Sequence, residues 1–532
     1  MADPAVLAPE GGGGIFNKTP HKGGLDGRSL HGEGAKLKGV AAWWPLAALV
    51  VGAAALRVST LDLQSFWYDE AYVPVHTLHA SLGATLEAVV KRENTPPLWY
   101  VLVWGWSRVF GTGAVALRLP SALAGLATVA AAWGIGKELA GRRAAIATAA
   151  LVATNPLLVW YSQEARAYGL FVALTALAMW CWLRADSNPT PGRLTAFAAS
   201  GAAALATHYF AVFLLAPMCV WLLRKRERWK VMLPAVTAVG AMGVALVPLA
   251  LAQGGHGTQW IGEWALASRL EAIPQYYLTG YSGAPLGHGV ELAVALAILA
   301  GLGYGLWRAL TPREADAALL ALGLAACGVL IPVAMAVAGA DYLAPRNVVA
   351  AMVPLTAGIA VIVTAQRTGR TGMALAGVIA VAFLAISVDV NLSPRLQRGD
   401  WRGLAQAIRG DESAPAPAGE SGGAVKGGGP RRRAWAITTV ELGAAPLEYY
   451  LPPLHNAPLG STVRVSEIDE TGYPPLVAGA GEPPAPGFRL VAHRDVNGLV
   501  LYRFLSATPR TVSEATLREH VITAAHPEVL VP

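Results

Sequence analysis

PPLWYVLVWGWSRVF, residues 96–110, is the stretch on which the topology of this chain turns. It holds Trp99, Trp104 and Trp106 and has the apolar look of a membrane span. At 1.5 Å rise per residue, however, residues 97–110 make a helix only about 20 Å long, too short to cross about 30 Å of hydrocarbon comfortably. Charge supplies a second test. With this segment left out of the crossings, Arg142-Arg143, Arg184 with Arg193, Arg224-Lys225-Arg226, Arg308 with Arg313 and Arg367 with Arg370 all fall on the side of the basic N-terminal segment. That is the positive-inside pattern of cytoplasmic loops, and counting the segment in would flip most of them. Residues 97–110 are therefore expected to form an interfacial or re-entrant helix on the outer face, where tryptophans settle at headgroup level.

The composition points the same way. Of 532 residues, 54% are hydrophobic and 14% charged, with a mean hydropathy of +0.44. A soluble chain of that length carries more charge, so a multi-span membrane protein is expected. Apolar runs at 40–57, 115–136, 143–160, 166–184, 194–208, 209–223, 231–252, 289–308, 316–338, 348–365 and 371–390 give about eleven crossings. Residues 39–391 then form the membrane domain, with a first outer loop at 58–114. Residues 1–38, Gly-rich and polar, read as a disordered cytoplasmic tail. The first apolar run lacks a small-residue cleavage site and reads as a retained span. The resulting outer segments are 58–114, 161–168, 253–288, 340–347 and everything after 391.

Residues 392–508 change character. Asp400-Trp401-Arg402 opens a short helical pattern to Ile408, and strand-like runs follow at 434–440, 462–465, 488–492 and 499–504, with a helical piece at 446–450. A small extracytoplasmic α/β domain is expected, interrupted by a disordered Gly/Pro/Ser-rich insertion at 411–430 and followed by a frayed tail, 509–532.

A net charge of +7 and a pI near 9.3 raise the question of nucleic acid. No basic stripe interleaves with base-stacking aromatics, and excess Lys and Arg in a membrane protein reports loop topology. Cys181, Cys219 and Cys327 all sit in apolar runs as small hydrophobes, with neither disulfide nor zinc spacing. Gly301, Gly303 and Gly305 lie inside a span and suit close helix packing rather than a dinucleotide loop.

Ionisable residues avoid the predicted mid-depth of the spans. Arg118, Arg166, His208, Glu291 and Asp389 fall within a turn or two of the outer ends. An ion-coupled transporter would hold charges at mid-depth, so a flippase or transporter of lipid-linked sugars is the alternative rather than the first reading. A non-catalytic scaffold would lack clustered acids. Arg118 and Asp389 suit interfacial anchors, and His208 beside Tyr209 suits an interface histidine before a metal ligand. Asp69 and Glu70, in the run Phe66-Trp67-Tyr68-Asp69-Glu70-Ala71-Tyr72, fit either chemistry at the membrane boundary or a helix N-terminus. A second charged cluster, Gln163-Glu164-Ala165-Arg166, ends a later span on the same face.

These runs carry a resemblance. FWYDEAY at 66–72, NTPPLWY at 94–100, RLPSALAG at 118–125, NPLLVWYSQEARAYG at 155–169, THYFAVF at 207–213 and YLAPRNVV at 342–349 resemble the bacterial branch of the GT-C glycosyltransferases, relatives of protein O-mannosyltransferases and lipid A aminoarabinose transferases. The likeness extends weakly to DWRGLAQAI at 400–408. It implies an inverting transferase of the plasma (inner) membrane that moves a sugar from a polyprenyl-phosphate donor to a glycan, lipid or protein acceptor outside the cytoplasm. The family's first-loop acid corresponds to Asp69, with Glu70 completing the pair, its second acid to Glu164, and its late-loop arginine, toward the carrier phosphate, to Arg346.

On this reading Asp69 is the base, Glu70 and Glu164 position sugar hydroxyls or a divalent cation, and Arg166 and Arg346 clamp the phosphate. Tyr168 and Tyr342 are expected to line the substrate. Trp67, Tyr68, Trp99, Tyr100, Trp104 and Trp106 would seat the sugar and first isoprene units or form an ordinary interfacial belt. Relatives often carry Lys or His before the two prolines where this chain has Thr95, so Lys91 or Arg92 is expected to stand in. A cation is left open, with Glu164 and His208 as candidate ligands.

Overall fold

The computed structural model describes residues 28–224, 226–281, 286–410, 434–523 and 526–532. Of the tail expected over 1–38, only 28–38 fall among these residues, and they are helical. The insertion expected at 411–430 lies outside them. Two compact units are present, Met1–Pro45 and Leu46–Pro532, and the second holds the helical bundle, the sheet and the site residues.

Among the described residues, seven helices are long and apolar enough to cross a membrane: Ala114–Ala140, Tyr168–Ser187, Trp229–Ala252, His288–Trp307, Pro312–Val337, Pro345–Val363 and Gln366–Leu392. The pair Arg142–Thr154 and Pro156–Ser162, bent by 60°, makes an eighth if counted as one span. The expected count of about eleven is not reached. The other expected segments are helical with short apolar stretches: Trp43–Val58 at the end of helix Arg28–Val58, Tyr209–Leu223 and the 17-residue Pro191–Thr207. Local chemistry explains the breaks. Pro156 cannot donate to the carbonyl four residues back, and His208 is extended (φ −155°, ψ 130°), splitting 191–223 in two.

Small residues set the packing. Gly141, at φ +82°, turns the hairpin between Ala114–Ala140 and Arg142–Thr154. A Cβ on Gly136 would lie 2.6 Å from the Ala144 carbonyl oxygen, so only glycine allows those two backbones to meet. In a lipid solvent such close approach, rather than apolar burial alone, holds helices together. Trp133, Phe171, Trp182, Phe197 and Phe383 fill the remaining core.

The first loop carries short helices at Tyr68–Tyr72, Leu82–Arg92 and Leu98–Phe110. The 13-residue Leu98–Phe110 buries Trp99, Tyr100 and Val103 and leaves Leu102, Val109 and Phe110 exposed. Its Trp106 Nε1 donates to the Ala116 carbonyl at 2.8 Å, pinning it to the next helix.

Beyond Leu392 the helix Trp401–Arg409, capped by the Asp400 carboxylate, leads to a six-stranded sheet. Its strands are β1 (Trp435–Val440), β2 (His455–Asn456), β3 (Thr462–Gly472), β4 (Arg489–Val496), β5 (Leu499–Ser513) and β6 (Pro527–Val531), in the order β2-β6-β1-β3-β5-β4. β1 and β3 are parallel, with the helix Glu441–Tyr450 in their connection, and the other pairs are antiparallel. Trp401, Leu404, Ile408 and Leu447 pack with Ile437, Leu501 and Leu530 on one face. Phe488, Phe504, Ile468 and Leu517 fill the other. The frayed tail expected over 509–532 is corrected: β5 runs to Ser513, helix Glu514–Glu519 follows, and β6 inserts between β2 and β1. A five-residue strand is too short to announce itself by periodicity.

The sheet region is fastened to the first loop. Phe66 N–H donates to the Tyr450 hydroxyl at 2.8 Å, the Tyr449 hydroxyl donates to the Thr112 carbonyl at 3.0 Å, and His76 Nε2 meets Glu448 at 2.9 Å.

Candidate active site

Trp67 is extended and Tyr68–Tyr72 begins a helical turn immediately after it, so the neighbouring acids Asp69 and Glu70 point in different directions. Glu70 points inward and is fully buried. Its Oε1 accepts from Arg118 Nε at 2.7 Å and from Ala165 N–H at 2.9 Å, and its Oε2 from Arg118 Nη2 at 2.6 Å and Arg398 Nη1 at 3.0 Å. Burial pushes this carboxyl up, but the charge and hydrogen bonds of Arg118, then Arg398 and the Ala165 N–H, outweigh it and hold the carboxyl below its ordinary range. Arg118 also donates to the carbonyls of Leu61, Gln64 and Ser65. The expectation of an interfacial anchor is thus corrected: Arg118 is 2% exposed and braces the first loop from within. Glu70, with both oxygens taken, is part of the same brace.

Asp69 faces the open side. Its Oδ2 accepts from Arg346 Nη1 at 2.9 Å, and the two side chains are 17% and 22% exposed. Arg346 stands in the 3₁₀ helix Pro345–Ala351 that opens the span Pro345–Val363, with its guanidinium 4.8 Å from the Trp260 ring centroid. Arg166 pairs with Glu93, Nη2 to Oε2 at 3.1 Å, and its Nη1 reaches the Asp69 carbonyl at 3.3 Å. Thr77 Oγ1 donates to the same Glu93 at 2.8 Å.

Glu164 is 1% exposed. Its Oε2 accepts from Arg398 Nη2 at 2.9 Å, while Oε1 has no hydrogen-bond partner among the described residues. Burial pushes this carboxyl up; Arg398 opposes that, and the Glu70 and Asp69 charges add to it. The Arg398 guanidinium meets two aromatic rings, its Cζ 4.8 Å from the Trp67 centroid and 4.5 Å from that of Trp160. It also lines a small cavity with Thr60, Gln64, Arg118, Trp160 and Gln163.

The structure thus gathers Asp69, Glu70, Glu164, Arg166 and Arg346, with Tyr168 buried among Tyr161 and His208 beside them. It does not gather every residue the sequence suggested. Lys91 pairs with Glu87 on an exposed helix face, and Tyr342 is 45% exposed; neither has a hydrogen bond or ion pair to the cluster among the described residues. Thr95 is buried, its hydroxyl 3.0 Å from that of Tyr100. Trp99 and Tyr100 are core, so they cannot seat a sugar as expected. His208 stacks on Phe171 and its Nδ1 accepts the Phe210 N–H. Asp69, Glu70, Glu93 and Glu164 each meet a guanidinium, and no group of three or more His, Cys, Asp or Glu among the described residues is arranged to hold a metal.

Arg398, Glu93, Trp160 and Trp260 were not read from the sequence. The signal for Arg398 was its place in QRGDW, directly ahead of the DWRGLAQAI run and just past the last apolar helix.

Residues 94–250 match the family described as dolichyl-phosphate-mannose-protein mannosyltransferase. No curated protein matches the chain. Among solved structures, ArnT from Cupriavidus metallidurans bound to undecaprenyl phosphate aligns with a TM-score of 0.52 at 13% identity, covering 87% of this chain and 98% of that one. The Archaeoglobus fulgidus oligosaccharyltransferase aligns at 0.41 and 13% identity, covering 76% of this chain and 61% of that one. The S. cerevisiae Pmt1-Pmt2 complex bound to its sugar donor aligns at 0.32 and 16% identity, covering 39% and 33%. With the helical bundle that aligns along nearly the whole of ArnT, this chain shares the fold of that protein.

Proposed function

We propose that the protein is a membrane glycosyltransferase that moves a sugar from a polyprenyl-phosphate donor to an acceptor on the extracytoplasmic face, with inversion. The observation that carries this reading is the Asp69–Arg346 pair. It is the most exposed acid–arginine contact of the cluster, and every other one is nearly or fully buried. The basic loops of the sequence support the sidedness, since the site lies at the opposite helix ends.

The chemistry needs a base for the acceptor and positive charge for the departing phosphate. The donor phosphate competes with Asp69 for Arg346, whose planar fork suits two phosphate oxygens. Asp69, released, takes the proton of the acceptor hydroxyl or amine. The acceptor atom bonds to the anomeric carbon from the face opposite the phosphate, and the carbon–oxygen bond to phosphate breaks. The polyprenyl phosphate leaves with the bond's electron pair, held by Arg346. The buried Glu70–Arg118 and Glu93–Arg166 pairs keep the loop fixed meanwhile.

The test is reconstitution of the purified protein in liposomes with polyprenyl-phosphate sugars, following release of the lipid phosphate. Asp69→Asn is expected to lower turnover by about 10²–10⁴-fold without loss of fold. Arg346→Ala is expected to weaken apparent donor affinity by about 10–100-fold. Wild-type turnover in Asp69→Asn would remove the base, and unchanged donor affinity in Arg346→Ala would remove the clamp.

A further inference from the structure

Among the described residues the Arg346 guanidinium has one ion pair, with Asp69, and one ring contact, with Trp260. On the reading above the phosphate takes the place of Asp69, so the guanidinium is then aimed by the Trp260 ring and by its own backbone. That backbone is clasped at two points by a single helix, Leu266–Thr279. Ahead of Arg346, Arg269 in the first turn donates Nη1 to Asp341 Oδ1 at 2.7 Å and Nη2 to Asp341 Oδ2 at 2.6 Å. Its Nη1 also donates to the Leu343 carbonyl at 2.8 Å, while Asp341 Oδ1 accepts the Leu343 N–H at 3.2 Å. Behind Arg346, Tyr277 in the last turn donates its hydroxyl to the Val348 carbonyl at 2.6 Å. Both side chains are buried, Arg269 at 2% and Tyr277 at 7% exposure. The two grips stand about 12 Å apart along the helix axis. The helix is anchored in turn, since Asn155 Nδ2 donates to the Tyr277 carbonyl at 3.0 Å.

We propose that Arg269 and Tyr277 are positioning residues for Arg346, and that helix Leu266–Thr279 thereby sets the affinity of the protein for the phosphate of its lipid donor. The inference rests on the phosphate-clamp role given to Arg346 above, not on sugar transfer itself. Residues 338–344 run between the span Pro312–Val337 and the 3₁₀ helix Pro345–Ala351 with no helix or strand of their own. A segment of that kind is mobile unless its backbone groups are tied. Arg269 ties it through a planar fork matched to the Asp341 carboxylate. The Arg269 hydrogen bonds hold that carboxyl below its ordinary range, so the pair stays ionised. Tyr277 ties the chain just past Arg346. With both flanks held, the guanidinium stands where the phosphate arrives, and binding has less ordering left to do.

The experiment measures binding of a polyprenyl phosphate carrying no sugar, and of the matching polyprenol, to the full-length protein in nanodiscs. The ratio of the two affinities isolates the phosphate contribution, and a general structural loss would weaken both lipids alike. Wild type is expected to favour the phosphate by about 10–100-fold, and Arg346→Ala to lose most of that preference. Tyr277→Phe removes one hydroxyl, keeps the ring, and is expected to cut the preference by about threefold or more. Arg269→Gln is expected to cut it further, and Arg269→Lys to restore part of it. In the Arg346→Ala background neither Tyr277→Phe nor Arg269→Gln is expected to change the phosphate affinity by more than about twofold, because the residue through which they act is gone. Tyr277→Phe covers the case in which Arg269→Gln fails to fold. A Tyr277→Phe that keeps the full preference, or losses of phosphate affinity that are equal with and without Arg346, overturns the clasp and leaves glycosyl transfer standing. A wild type that binds the phosphate no better than the alcohol overturns clamp and clasp together. Phosphate preference without sugar release in the liposome assay overturns the transfer reading and leaves the clasp in place.

Discussion

At the scale of single residues, charge in this protein is settled by partners far away in the chain. Glu70 is met by Arg118 and Arg398, and Glu164 by Arg398. Glu470 is the contrasting case. It lies on β3 opposite Thr438 and Tyr502, 1% exposed, with its Oε1 unpaired among the described residues. Burial raises its carboxyl from 4.5 to about 8. The sign follows directly: between those values the folded state holds a proton that the unfolded chain has released, so stability falls as pH rises from about 4.5 to 8 and is level beyond. Glu470→Gln has no such proton. It is expected to match wild type near pH 4.5 and to exceed it near pH 8 by up to about 4 kcal/mol. Thermal unfolding in detergent at both pH values measures this; parallel curves for the two proteins would mean the carboxyl is solvated. Legibility differed from residue to residue for one reason. Asp69, Glu164 and Arg346 stand in runs whose order resembles a family, whereas Arg118 and Arg398 declare only a charge. Which acid an arginine meets 48 or 328 residues away is a property of the fold, not of its neighbours.

At the scale of elements, the break at Asn155-Pro156 positions the second charged cluster. Pro156 has no N–H to offer the Val152 carbonyl, and the kink needs other donors. Arg57 supplies them: Nη1 donates to the Ala153 carbonyl at 2.7 Å, Nη2 to Val152 at 3.4 Å, and Nε to Ser162 Oγ at 2.9 Å. Asn155 caps the second half, its Oδ1 accepting the Leu158 N–H and its Nδ2 donating to the Tyr277 carbonyl at 3.0 Å. Arg57→Met keeps the apolar stem and removes every donor. It is expected to cost about 3 kcal/mol, from orphaned buried acceptors, and to lower transfer by displacing Gln163 to Arg166. A melting temperature and turnover equal to wild type would show that the kink holds without it. The sequence displayed 143–160 as one apolar run because hydropathy is blind to a missing N–H. The length of Leu98–Phe110 was legible, since its apolar run simply stops at Gly111. The Asn497-Gly498 pair, both at positive φ, is the hairpin signal between β4 and β5.

At the scale of the whole molecule, sheet and bundle belong to one compact unit, and the contacts that join them fall on the loop that carries Asp69. Helix Glu441–Tyr450 presents Ala445, Tyr449 and Tyr450 to Phe66 and its neighbours, so the first loop packs on the far end of the chain. That helix is held in turn by β1, and β1 lies between β3 and β6. The last strand therefore supports the loop that carries Asp69 through two intermediaries. Ending the chain at Thr508 removes the close of β5, helix Glu514–Glu519 and β6, leaving β1 an open edge and β2 without its partner. Deletion of a frayed tail would be silent. Here the truncated protein is expected to lose protease resistance in the sheet and to fall at least about tenfold in turnover, while detergent extraction still recovers the helical bundle, whose packing does not pass through β6. Limited proteolysis with a transfer assay on the same preparation reads both effects. A truncated protein that stays resistant and fully active would show that β6 bears no load for the site.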